Sequence, residues 1–419
     1  MPSALVAATL LSALQTADRA PWCEADGAEL LPEALLLQRV VACDGDAVID
    51  DRWRDVVHAH CEILRPVIDD YALGYAYNAG GYLRALQPPD LPPHVLYPFG
   101  GADLVSALTV YPFATEVTTI SLELVGDPRR LAPLTAAGVE KALAKLRPNL
   151  VALLNEEAFS RSVNLSALQR GALPGQLSFF LVALAAHGFE PVSLRYFSIE
   201  ADGGIHYLAT DEIEALEAKH ARRLRVTWED PDFSVAFANV ELQFRDRADP
   251  AAPTRVHRHI ASNLGDPSLK ADSRLLSFLN RHGPYVGMTK AASYLLWMDS
   301  FSIIRDYLLG NVDYMVSESS GIPPRFANPA GFLQDPYGRF EQAYLAYPSP
   351  EITLEMRRLF ASEPHVDLPF RFGYPDKNDH NHLLVTYRIR PDWVPSPQPV
   401  TAHAPAVVAT PAHARHRSR

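Results

Sequence analysis

Carboxylates, glycines and histidines recur in this 419-residue chain at places where the ends of strands would gather them. The run HVLYPFGG, residues 94–101, is apolar and closes on Gly100 and Gly101, with Phe99 before them and Asp103 just beyond. Glycine lets a backbone pass within contact distance of a ligand, because no Cβ intervenes. The run EVTTISLEL ends near Glu123, and a carboxylate there can accept both hydroxyl protons of a vicinal diol. Asp299 and Glu318, the latter followed by Ser319, come after two later apolar runs. In a parallel sheet all of these fall on the carboxyl edge, where ligands bind beside a switch in strand order. Each also has a plain structural role open to it. Gly100–Gly101 can form a simple turn, Glu123 can be a hydrogen-bonded carboxylate at a strand–helix turn, and Asp299 or Ser300 can cap the helix that follows.

Other reactive side chains carry weaker patterns. Glu318–Arg325, ESSGIPPR, has hydroxyls beside a carboxylate but does not match a nucleophile elbow, and hydroxyls in such turns usually bond the backbone. Arg325 could hold an anion. His257-Arg258-His259 and His380-Asn381-His382 are His-x-His pairs. On a strand the two rings of a pair share a face and could offer two metal ligands, although surface or loop histidine is the plainer reading and no metal site is assigned. Tyr71, Tyr75, Tyr77, Tyr82, Tyr294 and Trp297 are read as packing residues. Of the three cysteines, Cys43 and Cys61 could bridge in an exported protein, but the favoured reading is buried thiols with one loop thiol.

The elements that would position these groups are patterned unevenly. Residues 1–20 hold an apolar run without a preceding cation, so they read as a first helix or a leader, with a cytoplasmic location favoured and export open. Residues 21–90 read as a helical amino-terminal cap, with Trp53, Val56, Val57, His60 and Leu64 at helical spacing and Gly80–Gly81 interrupting it. QPPDLPPH marks a boundary near residue 90. From 91 to 390 the order is strand, glycine turn, helix, strand, then helices, then an insertion near 190–250 of strands around a charged helix. In the last third, MTKAASYLLWM reads as strand or strand-turn, SFSIIRDYLLGN as helix, VDYMVSESSGIP as strand, and LPFRFGYPDKNDHNHLLVTYRI as a β-hairpin. The Pro- and Ala-rich 391–419 is expected to be a disordered tail. A net charge of −11 argues against a nucleic-acid partner, and the amino-terminal run is too short to span a bilayer.

This order of elements resembles the class I S-adenosylmethionine-dependent methyltransferases, an α/β Rossmann-like fold with a mainly parallel sheet and a terminal β-hairpin. The resemblance covers about residues 92–390. It implies S-adenosylmethionine as cofactor and methyl transfer to a small molecule. Phe99, Gly100, Gly101 and Asp103 would line the cofactor loop, Glu123 would hold the ribose, and Asp299 or Glu318 would position or deprotonate the acceptor. The family's acidic residue in the first loop is replaced here by Tyr97 or Pro98, and Asp103 stands at its third glycine. The departures leave open a non-catalytic binding or scaffold protein on the same fold, while the His-x-His pairs leave open a metal-dependent hydrolase. Through YPFGGADLVSALTVYP, KAASYLLWMDSFSIIRDYLL, ESSGIPPRF and LPFRFGYP the chain is also similar to a family of uncharacterised bacterial proteins, which implies no activity.

Overall fold

The structure is a computed structural model that describes residues 27–44, 50–156, 171–222, 234–342, 349–362, 368–390 and 393. Residues 1–20, Cys23 and, apart from Trp393, the 391–419 tail lie outside these. Trp393 packs edge-on against Tyr387 and Tyr314.

The chain is helical before its first strand. Helix α1 (Leu31–Val41) is followed by α2 (Arg54–Asp70), which buries Val57, His60, Cys61, Leu64 and Ile68 along one stripe, as an amphipathic helix must. A π-helical stretch, Tyr71–Ala76, leads without a break into α3 (Tyr77–Ala85). The expected interruption at Gly80–Gly81 does not occur. Gly80 stays helical, and a Cβ there would lie 3.3 Å from the Thr109 carbonyl oxygen, so its bare backbone lets α3 press onto the next helix. Cys43 and Cys61 form a disulfide with Cα atoms 5.4 Å apart, tying the end of α1 to α2. This corrects the expectation of two free thiols.

The sheet begins with β1 (His94–Pro98), α4 (Leu104–Val110) and β2 (Glu116–Ser121). Two further helices, α5 (Ala136–Val151) and α6 (Gly175–Ala186), precede β3 (Phe189–Ile199), β4 (Ile205–Tyr207), α7 (Thr210–Ala221) and β5 (Asn239–Asp246). Then come β6 (Arg255–Ala261), α8 (Asp266–Ala271), α9 (Arg274–His282), β7 (Tyr285–Thr289), α10 (Ser302–Asn311) and β8 (Val312–Ser317). The described chain closes with α11 (Pro324–Ala327), β9 (Phe332–Gly338), α12 (Pro350–Ser362) and β10 (His382–Arg388).

All ten strands form one sheet in the order β4-β3-β5-β6-β2-β1-β7-β8-β10-β9. The central strands β6, β2, β1, β7 and β8 are mutually parallel, while β10 runs antiparallel to both β8 and β9. Strand order reverses direction at β1, whose neighbours are β2 and the much later β7. The insertion adds β4, β3 and β5 to the same sheet as antiparallel strands. Helices α1–α6 contribute to the core on one face, and α8–α10 to the core on the other. Among the described residues no helix is long and apolar enough to cross a membrane.

Two expectations are corrected. The terminal antiparallel pair is β9 with β10, separated by α12, and residues 368–381 form turns in place of the hairpin's first strand. The apolar residues of LPFRF, Leu368 and Phe370, join the core beside Tyr75 and Tyr82, whereas FLQDPYG has the register partners. Strand β7 stops at Thr289, and Ala291–Trp297 is a 3-10 stretch.

The insertion is riveted to the parallel strands by an ion ladder. Glu241 of β5, 1% exposed, accepts from Arg195 of β3 (2.9 Å) and Arg258 of β6 (2.8 Å), and Arg258 reaches on to Glu116 of β2. Tyr207 of β4 donates to the same carboxylate at 2.7 Å. Burial alone would raise the Glu241 carboxyl, but the Arg258 charge, the hydrogen bonds from Gln243 and Tyr207, and Arg195 outweigh it and hold it below its ordinary range. Its stabilising contribution is therefore complete above the ordinary carboxyl value and disappears as pH falls through the lowered folded value. Glu241→Gln is expected to destabilise the fold by about 3–5 kcal/mol in urea unfolding at neutral pH, with the difference from wild type shrinking in acid. The disulfide closes a loop of 18 residues, so Cys61→Ser should lower unfolding stability by about 3 kcal/mol.

Candidate functional site

The carboxyl ends of β1 and β7 flank the crevice where the strand order reverses. Both ends are conformationally unusual, with Phe99 after β1 at φ 60° and Ala291 after β7 at φ 56°. Non-glycine residues in this left-handed region cost about 1–3 kcal/mol each and concentrate at ligand sites and switch segments. The turn after β1 continues through Gly100 and through Gly101 at φ 53°. Gly100 donates its N–H to the Ile120 carbonyl at 3.1 Å, and a Cβ on it would stand 2.9 Å from both the ring and the carbonyl oxygen of Tyr97. The turn's own packing on β1 thus already requires glycine at 100. The N–H groups of Gly101 and Ala102 meet no acceptor among the described residues.

Asp103 does not face an open loop. It caps α4, its Oδ1 accepting from the Ser106 N–H at 3.4 Å, and its Oδ2 accepts from the Tyr97 hydroxyl at 2.9 Å and from Lys290 Nζ at 3.0 Å. Lys290 is fully buried, donates also to Ser106 Oγ at 2.8 Å, and stands 5.0 Å from the centre of the Phe372 ring. Burial first, and the Asp103 charge second, push the Tyr97 hydroxyl far above its ordinary value, so it stays a donor. This ion pair spans the crevice from β1 to β7.

Glu123 behaves differently. It is 6% exposed, yet its carboxylate has no hydrogen-bond or ion-pair partner among the described residues. Its backbone is held instead. The N–H donates to Ser121 Oγ at 3.3 Å, and the carbonyl accepts from His259 Nε2 at 3.2 Å. A carbonyl only accepts, so His259 carries its proton on Nε2 and takes the Thr119 hydroxyl proton on Nδ1 at 2.9 Å. Thr119 Oγ1 then accepts from His257 Nε2 at 2.9 Å, leaving His257 Nδ1 unpartnered. Burial lowers His259 to about 4 and pushes His257 down as well, so both rings are neutral at neutral pH. The two rings do share one face of β6, as their spacing requires, but they form a relay that fixes the Glu123 backbone. No group of three or more metal-capable residues gathers among the described residues.

Glu318, fully buried after β8, is saturated. Oε1 accepts from the Ala291 N–H at 2.9 Å and from Ser320 Oγ, while Oε2 accepts from Ser319 Oγ at 3.1 Å and the Ser320 N–H at 3.2 Å. His382 Nε2 of β10 lies 3.3 Å away, so the second His-x-His pair is split between a strand and a turn. Gly373, at φ 75°, packs on Glu318 where a Cβ would approach Cγ to 2.5 Å. Ser319 and Ser320 are thereby the hydrogen-bonding turn hydroxyls of the plainer reading. Asp299 is exposed and caps nothing: α10 starts at Ser302, and the Ile303 N–H is accepted by Asp266 at 3.0 Å. That corrects the expected cap. Phe301, which precedes α10, packs edge-on against Phe99 at 5.8 Å.

The structure therefore brings Phe99, Gly100, Gly101, Asp103 and Glu123 to the ends of two neighbouring strands, with Glu318 two strands beyond β1. Lys290 and Asp266 were missed in sequence, and His382 was singled out there without its partner Glu318. A lone lysine directly after an apolar run, in GMTK, was the available signal for the first. Comparison with protein-family models, curated proteins and solved structures gave no match. The class is accordingly the one the geometry defines, a mixed α/β protein with five parallel central strands flanked by antiparallel ones.

Removing the cation from the crevice strands a buried carboxylate. Lys290→Met is expected to cost about 3–5 kcal/mol in urea unfolding, and Asp103→Asn added to it should restore part of that loss, giving a favourable coupling in a double-mutant cycle.

Proposed function

We propose that this chain is an S-adenosylmethionine-dependent methyltransferase-like protein that binds the cofactor across the ends of β1 and β2 and acts on a small molecule. The observation that carries the reading is Glu123 at the end of β2, a residue only 6% exposed whose carboxylate has no partner among the described residues. A buried carboxylate normally has donors, and a ribose diol would supply two. The strand order supports it as well: β6-β2-β1-β7-β8-β10-β9, with β10 alone reversed, is the order of the class I methyltransferase sheet.

The residues present fit the cofactor at two places. Glu123 suits the ribose, and the unpaired N–H groups of Gly101 and Ala102 suit a carboxylate. When bound, the cofactor supplies the transferable methyl carbon on its sulfonium. The chain's part is then to orient and to exclude water. Phe99 and Phe301 form an aromatic wall beside the turn. Of the two carboxylates assigned to the acceptor, Asp299 remains exposed, whereas Glu318 already accepts four hydrogen bonds, from the Ala291 and Ser320 N–H groups and the Ser319 and Ser320 hydroxyls. Between the cytoplasmic location favoured from sequence and the export left open, the Cys43–Cys61 bridge supports export.

A second reading, cofactor or ligand binding without transfer, is favoured by one observation. Asp103, Lys290, Glu318 and His382 already satisfy one another under cover of Phe372 and Gly373. Calorimetric titration with S-adenosylmethionine and S-adenosylhomocysteine separates the outcomes. Saturable binding is expected, weakened at least about tenfold in Glu123→Gln, since a hydrogen bond to a charged group contributes about 1.5–3 kcal/mol. Absence of binding to the wild type would overturn the cofactor reading, and binding without turnover over a panel of acceptors would select the second.

A further inference from the structure

We propose a second, separate ligand site, a cleft of about 300 Å³ between α12 and the end of β9, that takes a phosphomonoester carrying a flat apolar body. Leu354, Arg357, Arg358 and Ala361 of α12 line it together. Their spacing of i, i+3, i+4 and i+7 makes one continuous helical stripe, opposite the buried Ile352 and Met356. The facing wall is the segment after β9, where Arg339 stands at the rim and Phe340 below it. Phe340 and Phe360 are buried with ring centres 5.7 Å apart, so the floor is aromatic and rigid.

Two cations of this cleft, Arg357 and Arg358, stand exposed in a chain whose net charge is −11. Neither Arg357 nor Arg358 has an ion-pair or hydrogen-bond partner among the described residues. The acids of the same helix are engaged elsewhere, Glu351 and Glu355 pairing with Arg325. Glu341 also lines the cleft, oriented by Asn378 Nδ2 at 2.9 Å, so that one carboxylate stands against three guanidinium groups there. Guanidinium forks match phosphate oxygens in geometry as well as charge, and a phosphomonoester dianion can engage two at once. Leu354, 42% exposed, offers apolar surface for the rest of the ligand, over a floor backed by the two buried phenylalanines. The volume lies at the lower end of the range for small-molecule pockets, which suits a single-ring body. Three arginines on an acidic chain are too few for a nucleic-acid track.

The test is calorimetric titration of the full chain with phenyl phosphate and with inorganic phosphate, on wild type and on Arg357→Gln/Arg358→Gln. The expected result is saturable binding of phenyl phosphate, about tenfold or more tighter than inorganic phosphate and at least tenfold weaker in the double variant. Both arginines are exposed, so the variant should melt at the wild-type temperature, which separates lost binding from lost folding. Arg357→Lys should retain part of the affinity, because charge remains and the fork does not. Phosphatidylcholine vesicles with and without phosphatidic acid distinguish the sources. Arginine-dependent cosedimentation with phosphatidic acid assigns a lipid headgroup, and phenyl phosphate binding alone assigns a free metabolite. Glu123→Gln should leave all of these unchanged, since β2, which carries Glu123 at its end, lies five positions from β9 in the sheet. Failure of both probes, or equal affinity in the double variant, overturns the proposal.

Discussion

A parallel sheet whose strand order reverses opens a crevice between the two strands that part there, and something must fill it. In this chain the filler is the buried Lys290–Asp103 pair, reaching from the end of β7 to the first turn after β1 at 3.0 Å. Isolated, each charge would face a desolvation penalty of several kcal/mol; together, with Tyr97 and Ser106 taking the remaining hydrogen bonds, they form a satisfied polar plug. The rest of the carboxyl edge is arranged around it. Phe372 lies over the lysine, Gly373 beside it presses on Glu318, and Glu318 in turn gathers the ends of β7, β8 and β10.

The same logic of mutual satisfaction runs across the sheet. The ladder from Arg195 through Glu241 and Arg258 to Glu116 binds an antiparallel extension to a parallel core at the level of side chains, beside the backbone ladder. On the opposite face, the neutral relay from His257 to Glu123 spends its hydrogen bonds on the Glu123 backbone and leaves the carboxylate unspent. Among the described residues, Glu123 at the strand edge combines burial of its side chain with the lack of a partner, and Arg357 and Arg358 share one stripe of α12 beside a cleft.

Features whose physics is local were legible in the chain. The stripe of α2, the glycine turn after β1, the charged α7, the insertion near 190–250 and the helix over SFSIIRDYLLGN follow from periodicity, turn residues and β-branched runs within a few residues of each other. The shared face of His257 and His259 follows from the two-residue period of a strand. Errors arose where neighbours in space overrode neighbours in sequence. Gly80–Gly81 reads as a break until Thr109 lies against it, and LPFRF reads as a strand until FLQDPYG takes its place beside β10.

What the amino-acid order determined by itself was therefore the inventory: an α/β chain, a glycine turn at the end of one strand, an acid at the end of the next, and a net charge unsuited to nucleic acid. Which of those acids remains available was decided only in three dimensions. Asp103 is taken by a lysine 187 residues away and Glu318 faces a histidine 64 residues away, whereas Glu123 meets no partner among the described residues. Hydrogen bonds and ion pairs act over a few ångströms, and the distances along the chain that separate these partners leave no periodic or compositional trace from which to foresee the pairing.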